Sequence, residues 1–373
     1  VHGLRCAKNL ATLNRFTVDG VPIGDSFGLN PDALPSRRGP VPIDAIGEFQ
    51  TKVAPYDIRE GFFQGGVVNA ILKSGTNQFH GSAIFTETTD GLTGSQLKPY
   101  VSNPTGIVTQ PKFTSKDYGA TLSGPIIKDR LFFMVSAERV RANNPFNIAA
   151  SSITQDQFDQ IVSIAKTKYN VDAGGKITSQ DDKDDRIVGR IDANVTDGQR
   201  LSLTGIYTKD SINTLGFNSA TAQSTTSNDY VKPNRLWAVV GQLNSTWSPT
   251  ISTETRVLYK DYKSGQNPIL AKTGYALICT DAGTAAAITV GNATQCSSNV
   301  STLAVGPLGS AQTNILRTKT FDAQEVIRIS LGEHNLRLLY DYQHVNNYNL
   351  FIGQTANPGS TGISSGAYGA YYF

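Results

Sequence analysis

Gly24-Asp25-Ser26-Phe27-Gly28 has the G-x-S-x-G spacing of a hydrolase nucleophile elbow. That elbow needs a strand before the serine and a helix after it. Leu29-Asn30-Pro31 follows instead, and the proline blocks a helix. His2, His80, His334 and His344 are the only histidines that could serve as a base. None forms an i, i+4 pair or a His/Cys cluster, so neither a catalytic nor a metal site is expected. No glycine-rich phosphate loop is present, and no cofactor is expected. Asp181-Asp182-Lys183-Asp184-Asp185 has the charge for calcium but reads as a solvated run. Cys279 and Cys296 bracket a polar Gly/Ala/Thr stretch. They read as a loop closed by one disulfide in an oxidising compartment, or as two free thiols in a reduced protein. Cys6 would then stay unpaired.

With so little catalytic chemistry, the elements themselves carry the information. Gly numbers 35, Tyr 15, Phe 16 and Met only 1, a mixture that favours strands and turns. The net charge of +3 comes from basic residues scattered among carboxylates, without the basic stripe that nucleic acid requires. No run of 18 apolar residues exists, so no transmembrane helix is placed. A mean hydropathy of −0.23 suits a soluble protein and a barrel equally, because barrel strands show lipid only every second residue. The start, Val1-His2-Gly3-Leu4-Arg5, has no signal peptide, and a processed or truncated start is expected.

From about Thr76 onward, segments of about ten residues alternate apolar and polar. In the segment 185–195, Ile187, Gly189, Ile191, Ala193 and Val195 share one face, and Arg186, Arg190, Asp192 and Asn194 the other. Thr196-Asp197-Gly198 turns the chain into Leu201, Leu203, Gly205 and Tyr207. Trp237, Val239, Gly241, Leu243 and Trp247 likewise oppose Gln242, Asn244 and Thr246. Val257 and Tyr259 oppose Glu254, Arg256 and Lys260. Phe321, Ala323, Ile327 and Ile329 oppose Asp322, Gln324 and Arg328, with Glu325 out of place on the apolar face. Leu336, Leu338, Tyr340 and Tyr342 oppose Arg337, Asp341 and Gln343. Phe79–Phe85, Tyr118–Leu122 and Leu131–Ala137 open the series, and Phe132 and Met134 make both faces of the third strand apolar. Nine strands result, joined alternately by short turns and long connections, which is the topology of an outer-membrane barrel.

Arg186, Arg190, Asp192, Arg256, Lys260, Asp322, Arg328, Arg337 and Asp341 would then face the lumen, as a hydrated wall against a plug or as a substrate path. Tyr207, Trp237, Trp247 and Tyr259 suit an interfacial belt or ordinary cross-strand packing. Phe158, Ile161, Val162 and Ala165 predict a short helix over Thr154 to Tyr169 on an extracellular loop. Before Thr76 the pattern is a small α+β piece. Gly65 and Gly66 read as a pair allowing positive φ and close packing at the start of a strand.

Val18-Asp19-Gly20-Val21-Pro22 resembles the strand-turn element of the plug of TonB-dependent outer-membrane receptors. Ile43-Asp44-Ala45-Ile46-Gly47-Glu48-Phe49-Gln50 resembles the helix and following strand of that plug. The stretch 65–77 resembles the last plug strand and the passage into the barrel, through Gly65, Gly66, Asn69, Lys73, Gly75, Thr76 and Asn77. The stretches 79–83, 118–127 and 131–133 resemble the first barrel strands of the Oar-like branch. Where the plug usually carries Arg-Gly-Pro, Val53-Ala54-Pro55-Tyr56 stands here, as that branch tolerates.

The resemblance implies a mainly β chain: residues 1–75 as the C-terminal part of a plug, then 76–373 as the first nine or so strands of an incomplete, antiparallel, up-and-down transmembrane barrel. It implies residence in the Gram-negative outer membrane among its lipids. It also implies energy-dependent import of a scarce small molecule or peptide, and partnership with TonB and its inner-membrane complex through an N-terminal segment that this chain lacks. The chain is expected to be cut at both ends and inactive in uptake by itself. A surface-binding or adhesion protein and a soluble β-rich hydrolase are the competing classes. For Cys279 and Cys296, a non-reducing digest is expected to yield one cross-linked peptide pair; full alkylation of both thiols before reduction would contradict the disulfide.

Overall fold

The computed structural model describes residues 15–24, 34–53, 66–96, 98–99, 105–107, 111–146, 148, 153–270, 275–280, 301–352 and 370–372. A small mixed sheet comes first, from β1 (Arg15–Val18), β2 (Val21–Pro22), β3 (Ile46–Val53) and β4 (Gly66–Leu72), in the order β2-β1-β4-β3. Asp19 and Gly20 join β1 to β2 with φ of 49° and 80°. A two-residue hairpin turn with both central residues at positive φ is the type I′ turn, for which Asp-Gly is a favoured pair. One face of this sheet buries Val18, Val21, Ile23, Ala45 and Leu72. Gly66 opens β4 as an extended residue opposite Val53, so the expected positive φ is not used there.

A much larger sheet follows. β5 (His80–Thr89), β6 (Thr114–Ile127), β7 (Leu131–Pro145), β8 (Ser179–Thr196) and β9 (Gln199–Thr214) each pair antiparallel with the next. After a short strand β10 (Ala222–Ser224), the series resumes with β11 (Tyr230–Ser248) and β12 (Ile251–Pro268). It interrupts again for β13 (Tyr275–Cys279) and β14 (Thr302–Val305), then ends with β15 (Thr313–Leu331) and β16 (His334–Ile352). The nine wall strands lie in sequence order with no crossover, the up-and-down order expected from the loop lengths. Among the described residues β5 and β16 do not pair, so the barrel is not closed.

The alternation sets the two faces. Ile187, Ile191, Leu201, Leu203, Val239 and Leu338 point outward and are exposed, as a lipid-facing surface must be in the absence of lipid. Arg186, Asp192, Ser202, Thr204, Glu254 and Lys260 point inward and are buried. The apolar inner patch on β7 has a local reason. Met134 packs in one cluster with Val18, Val21 and Ile23 of the small sheet, joined by Val188, Ile206, Leu236, Ala238 and Leu258 from neighbouring strands. Glu325 does lie on the outward parity, between Thr255 and Tyr340 in register.

The strands run further toward the long connections than alternation alone predicts. β8 begins at Ser179, so Asp181-Asp182-Lys183-Asp184-Asp185 is strand and not a solvated run. Asp182 and Asp184 are 3% and 1% exposed on the inner face, which corrects that reading.

The long connections are themselves built. The predicted helix is α1 (Gln155–Tyr169), capped by Thr154 with Gln157 in a reciprocal capping box and ended by Asn170 in the left-handed conformation. Its Ile161, Val162 and Ala165 pack with Ala173, Ile278 and Val305. β10, β14, β13 and β17 (Ala370–Tyr372) form a third sheet in that order. The Asn228 side chain donates to Gly306 O at 2.8 Å and Thr226 N donates to Gly175 O at 2.8 Å, so three connections hold one another.

Gly75 is where the small sheet's exit segment slips past the wall. A Cβ there would stand 2.5 Å from Phe133 O and 2.7 Å from Gly124 O. Gly75→Ala is expected to destabilise the fold by about 1–3 kcal/mol, as overpacking against backbone does. A lowered midpoint of thermal unfolding in detergent checks it, and an unchanged midpoint would refute the tight fit.

Candidate functional site between the small sheet and the wall

The small sheet meets the inner face of the wall at its tight turn. Asp19 has its backbone N–H on Ala70 O at 2.9 Å, and its Oδ1 accepts from Leu72 N at 3.0 Å. The side chain is thereby aimed outward, and Oδ2 takes Arg190 Nη1 at 2.7 Å. Arg190 also donates Nε to Asp192 Oδ2 at 2.7 Å and Nη2 to Asp192 Oδ1 at 2.9 Å. Ser202 Oγ donates to Asp192 Oδ1 at 2.6 Å. One arginine thus sits between a carboxylate of the small sheet and one of the wall. Asn69 Oδ1 accepts from Gly20 N and Thr17 Oγ1, both at 2.8 Å, and pins the turn from beneath. The Arg256 guanidinium lies on Gly20, where a Cβ would come within 2.7 Å of Nη1. Glu254 holds Arg256 on one side and Arg328 on the other, the latter at 2.5 Å.

A second line of contacts uses backbone carbonyls, which the small sheet's irregular segments leave without strand partners. Lys260 Nζ donates to Gly24 O at 2.7 Å. Arg186 Nη1 donates to Arg38 O at 3.1 Å and Val41 O at 3.3 Å, while its other nitrogens pair with Glu138 and Asp184. Thr208 Oγ1 donates to Pro40 O at 2.6 Å. Asp182 holds both Arg37 and Arg38, at 3.0 and 2.6 Å. Ser82 Oγ donates to Asp44 Oδ2 at 3.2 Å, and Ile43 N donates to Glu138 Oε2 at 3.2 Å. Beside the Asp19 turn lies a polar cavity of roughly 490 Å³, bordered by Asp19, Lys52, Asn69, Arg200, Gln242 and Asn244.

The geometry sorts the candidate residues. Arg190, Asp192, Arg256 and Arg328 gather around the Asp19-Gly20 turn, and Arg186 and Lys260 grip carbonyls. Asp322 and Asp341 are engaged within the last two strands by Gln343 and Gln324, and Arg337 lies opposite Arg328 in register. Lys73 contributes its N–H to Ala45 O at 2.8 Å, Ile46 packs on the apolar cluster, and Glu48 and Phe49 are exposed. Asn77 exchanges two hydrogen bonds with Asp129 of the β6–β7 turn, while Thr76 exchanges hydrogen bonds with Gln78 of its own loop. Gly65, Cys6 and Cys296 lie outside the described residues, as do Asp25 to Gly28 of the G-x-S-x-G stretch; of Cys279, only its place in β13 is described.

Glu138, Asp182 and Asp184 are contacts that sequence reading missed; their signal was parity, since each is an inward position of a strand whose extent was underestimated. Glu254 and Thr208 fell on polar faces that were read correctly but were not singled out as candidates. The inner apolar patch had no such signal, because it alternates out of phase with the lipid face.

Burial pushes the Asp19 carboxyl above the ordinary carboxylate range, and the nearby Arg190 and the Leu72 N–H offset that only in part. The folded protein therefore takes up this proton at a higher pH than the unfolded chain does. The charged form costs stability near neutrality, and the cost is withdrawn as pH falls through the raised pKa. Wild-type stability relative to Asp19→Asn is expected to rise between pH 7 and pH 4. A pH-independent difference between the two denaturation midpoints would contradict this.

Comparison with known proteins gives this geometry a family. The outer membrane beta barrel domain family matches residues 71–170 and 162–371. A stretch of 134 residues is 35% identical to the TonB-dependent transporter Oar of Myxococcus xanthus, and covers 35% of this chain and 12% of that protein. The outer membrane transporter YddB of Escherichia coli superposes with a TM-score of 0.56 at 10% identity, over 89% of this chain and 40% of that one. A ferric enterobactin receptor mutant of Pseudomonas aeruginosa superposes with a TM-score of 0.50 at 14% identity, over 88% of this chain and 41% of the other. This chain therefore spans well under half the length of these relatives. The chain belongs to the outer membrane beta barrel domain family, which places it in the Gram-negative outer membrane.

Proposed function

We propose that residues 1–75 are the C-terminal part of a plug domain, that 76–373 begin its barrel, and that the receptor they belong to imports a scarce nutrient. TonB and its inner-membrane complex would supply the energy by pulling on the N-terminal side of the plug. Substrate would move along the inner wall as the plug shifts, with no bond-making step. The observation that supports this reading is the nature of the plug–wall contact. Asp19 to Arg190, Lys260 to Gly24 O and Arg186 to Arg38 O are polar contacts, and a polar cavity borders the first of them. Each involves a charged group and can be exchanged for water at a net cost of about 1.5–3 kcal/mol, so a pull can undo them one at a time.

The second reading, surface binding without transport, draws on the third sheet and α1, which give the long connections a built outer surface. One tether separates the two. Asp44 of the plug and Ser82 of β5 are in hydrogen-bond contact, so Asp44→Cys with Ser82→Cys can lock plug to wall. Cells expressing the full-length receptor would be offered a panel of labelled siderophores, cobalamin, sugars and peptides. Protonophore-sensitive uptake of one of them is expected, lost on oxidation of the tether and restored by reductant. Binding without uptake in wild-type cells would favour the surface-binding reading, and uptake indifferent to the tether would exclude plug movement.

A further inference from the structure

Basic residues that are scattered along the sequence line up across the wall. On the outward face, Arg139, Asp185, Lys209, Arg235, Lys263 and Arg317 stand opposite one another in one continuous rung over β7, β8, β9, β11, β12 and β15. The rung above places Lys116, Arg141 and Lys183 side by side, and Lys319 lies one rung below. The carboxylates of this belt are spoken for. Asp185 is held by Arg139 and Arg141, Asp261 by Arg317, and Glu87 by Lys116. Lys209, Arg235 and Lys263 are left exposed on three adjacent strands, with no ion pair among the described residues.

Like charges facing each other across neighbouring strands repel, and strands are only about 4.8 Å apart. Three in a row make a locally positive strip whose mutual repulsion an anion between them would relieve. The height of the belt says which anion. Trp237 and Trp247 lie ten residues apart on β11. At about 3.3 Å per residue and a tilt of about 40°, that separation is about 25 Å, the height of a barrel's apolar band. Tyr207 faces Trp237 across β9, and Tyr259 stacks near it with ring centroids 5.1 Å apart, marking one edge of the band. Arg235 is one outward position beyond Trp237, on the side of the long connections, which is the extracellular side. The belt is therefore at headgroup level of the outer leaflet.

We infer that this belt, centred on Lys209, Arg235 and Lys263, binds phosphate groups of anionic lipids in the outer leaflet. The inference rests on the placement of the wall in the outer membrane and not on the import reading. The test uses the full-length receptor in detergent, titrated with diphosphoryl lipid A or with phosphatidylcholine, with bound lipid counted by native mass spectrometry. Wild type is expected to prefer diphosphoryl lipid A. Replacing the three basic residues together (Lys209→Gln, Arg235→Gln, Lys263→Gln) is expected to weaken that binding at least about tenfold, since each charge near such a surface contributes on the order of 1 kcal/mol, and to leave phosphatidylcholine binding unchanged. The charge-keeping set Lys209→Arg, Arg235→Lys, Lys263→Arg is expected to retain the preference and keeps the test decisive if the glutamine set fails to fold. No preference in wild type, equal binding by the glutamine set, loss of the preference in the charge-keeping set, or full displacement by inorganic phosphate would overturn the inference.

Discussion

Hydrocarbon offers no hydrogen-bond partner, so each backbone N–H and C=O of a strand crossing it must be met by the next strand. That requirement forces the long antiparallel ladders from β5 to β16 and leaves side chains only two directions. Outward positions must be apolar within the band. Apart from Glu325, the charges that the wall carries at that depth are consequently driven inward. Arg186, Arg190, Asp192, Glu254 and Lys260 are therefore neighbours by geometry before they are neighbours by function.

Charges crowded on an inner face must be paired, because leaving one partner of a buried pair alone costs about 3–5 kcal/mol. The wall solves part of this internally, with Asp192 beneath Arg190 and Glu254 between Arg256 and Arg328. The small sheet and its loops supply more through the Asp19 carboxylate, through Arg37 and Arg38 on Asp182, and through a set of carbonyls. Its attachment has two unlike halves. The apolar cluster of Val18, Val21 and Ile23 against Leu236 and Leu258 sets position and is indifferent to small rotations. The Asp19 turn sets orientation, since its carboxylate accepts from Leu72 N and Arg190 at once.

Much of this was legible in the residues. Period-two alternation with short and long gaps sufficed for nine strands and their order, because lipid imposes the alternation on the sequence directly. Asp19-Gly20 announced its turn for the same kind of reason: few pairs tolerate two positive φ values in succession. The failures lie where lipid stops dictating. Beyond the band both faces of a strand are polar, so β8 was read as ending where its apolar face ended, and Asp182 and Asp184 were assigned to solvent. Inside the wall, Met134 and Leu236 are apolar because the small sheet covers them, a contact between distant parts of the chain that no local period records. The alignment of Lys209, Arg235 and Lys263 is invisible for the same reason, since register is a property of pairs of strands.

The outer connections carry a consequence of another kind. The segment after β7 brings α1 and Ala173, the segment after β9 brings Thr226 and Asn228, and the segment after β12 brings Val305 and Gly306. Because the first and third share an apolar cluster and the second is hydrogen-bonded to both, none is an independent module. Variation in one is constrained by the shape of the other two, so the exposed surface of this protein diversifies as a unit, and a graft that transfers a single connection carries only a fragment of a surface.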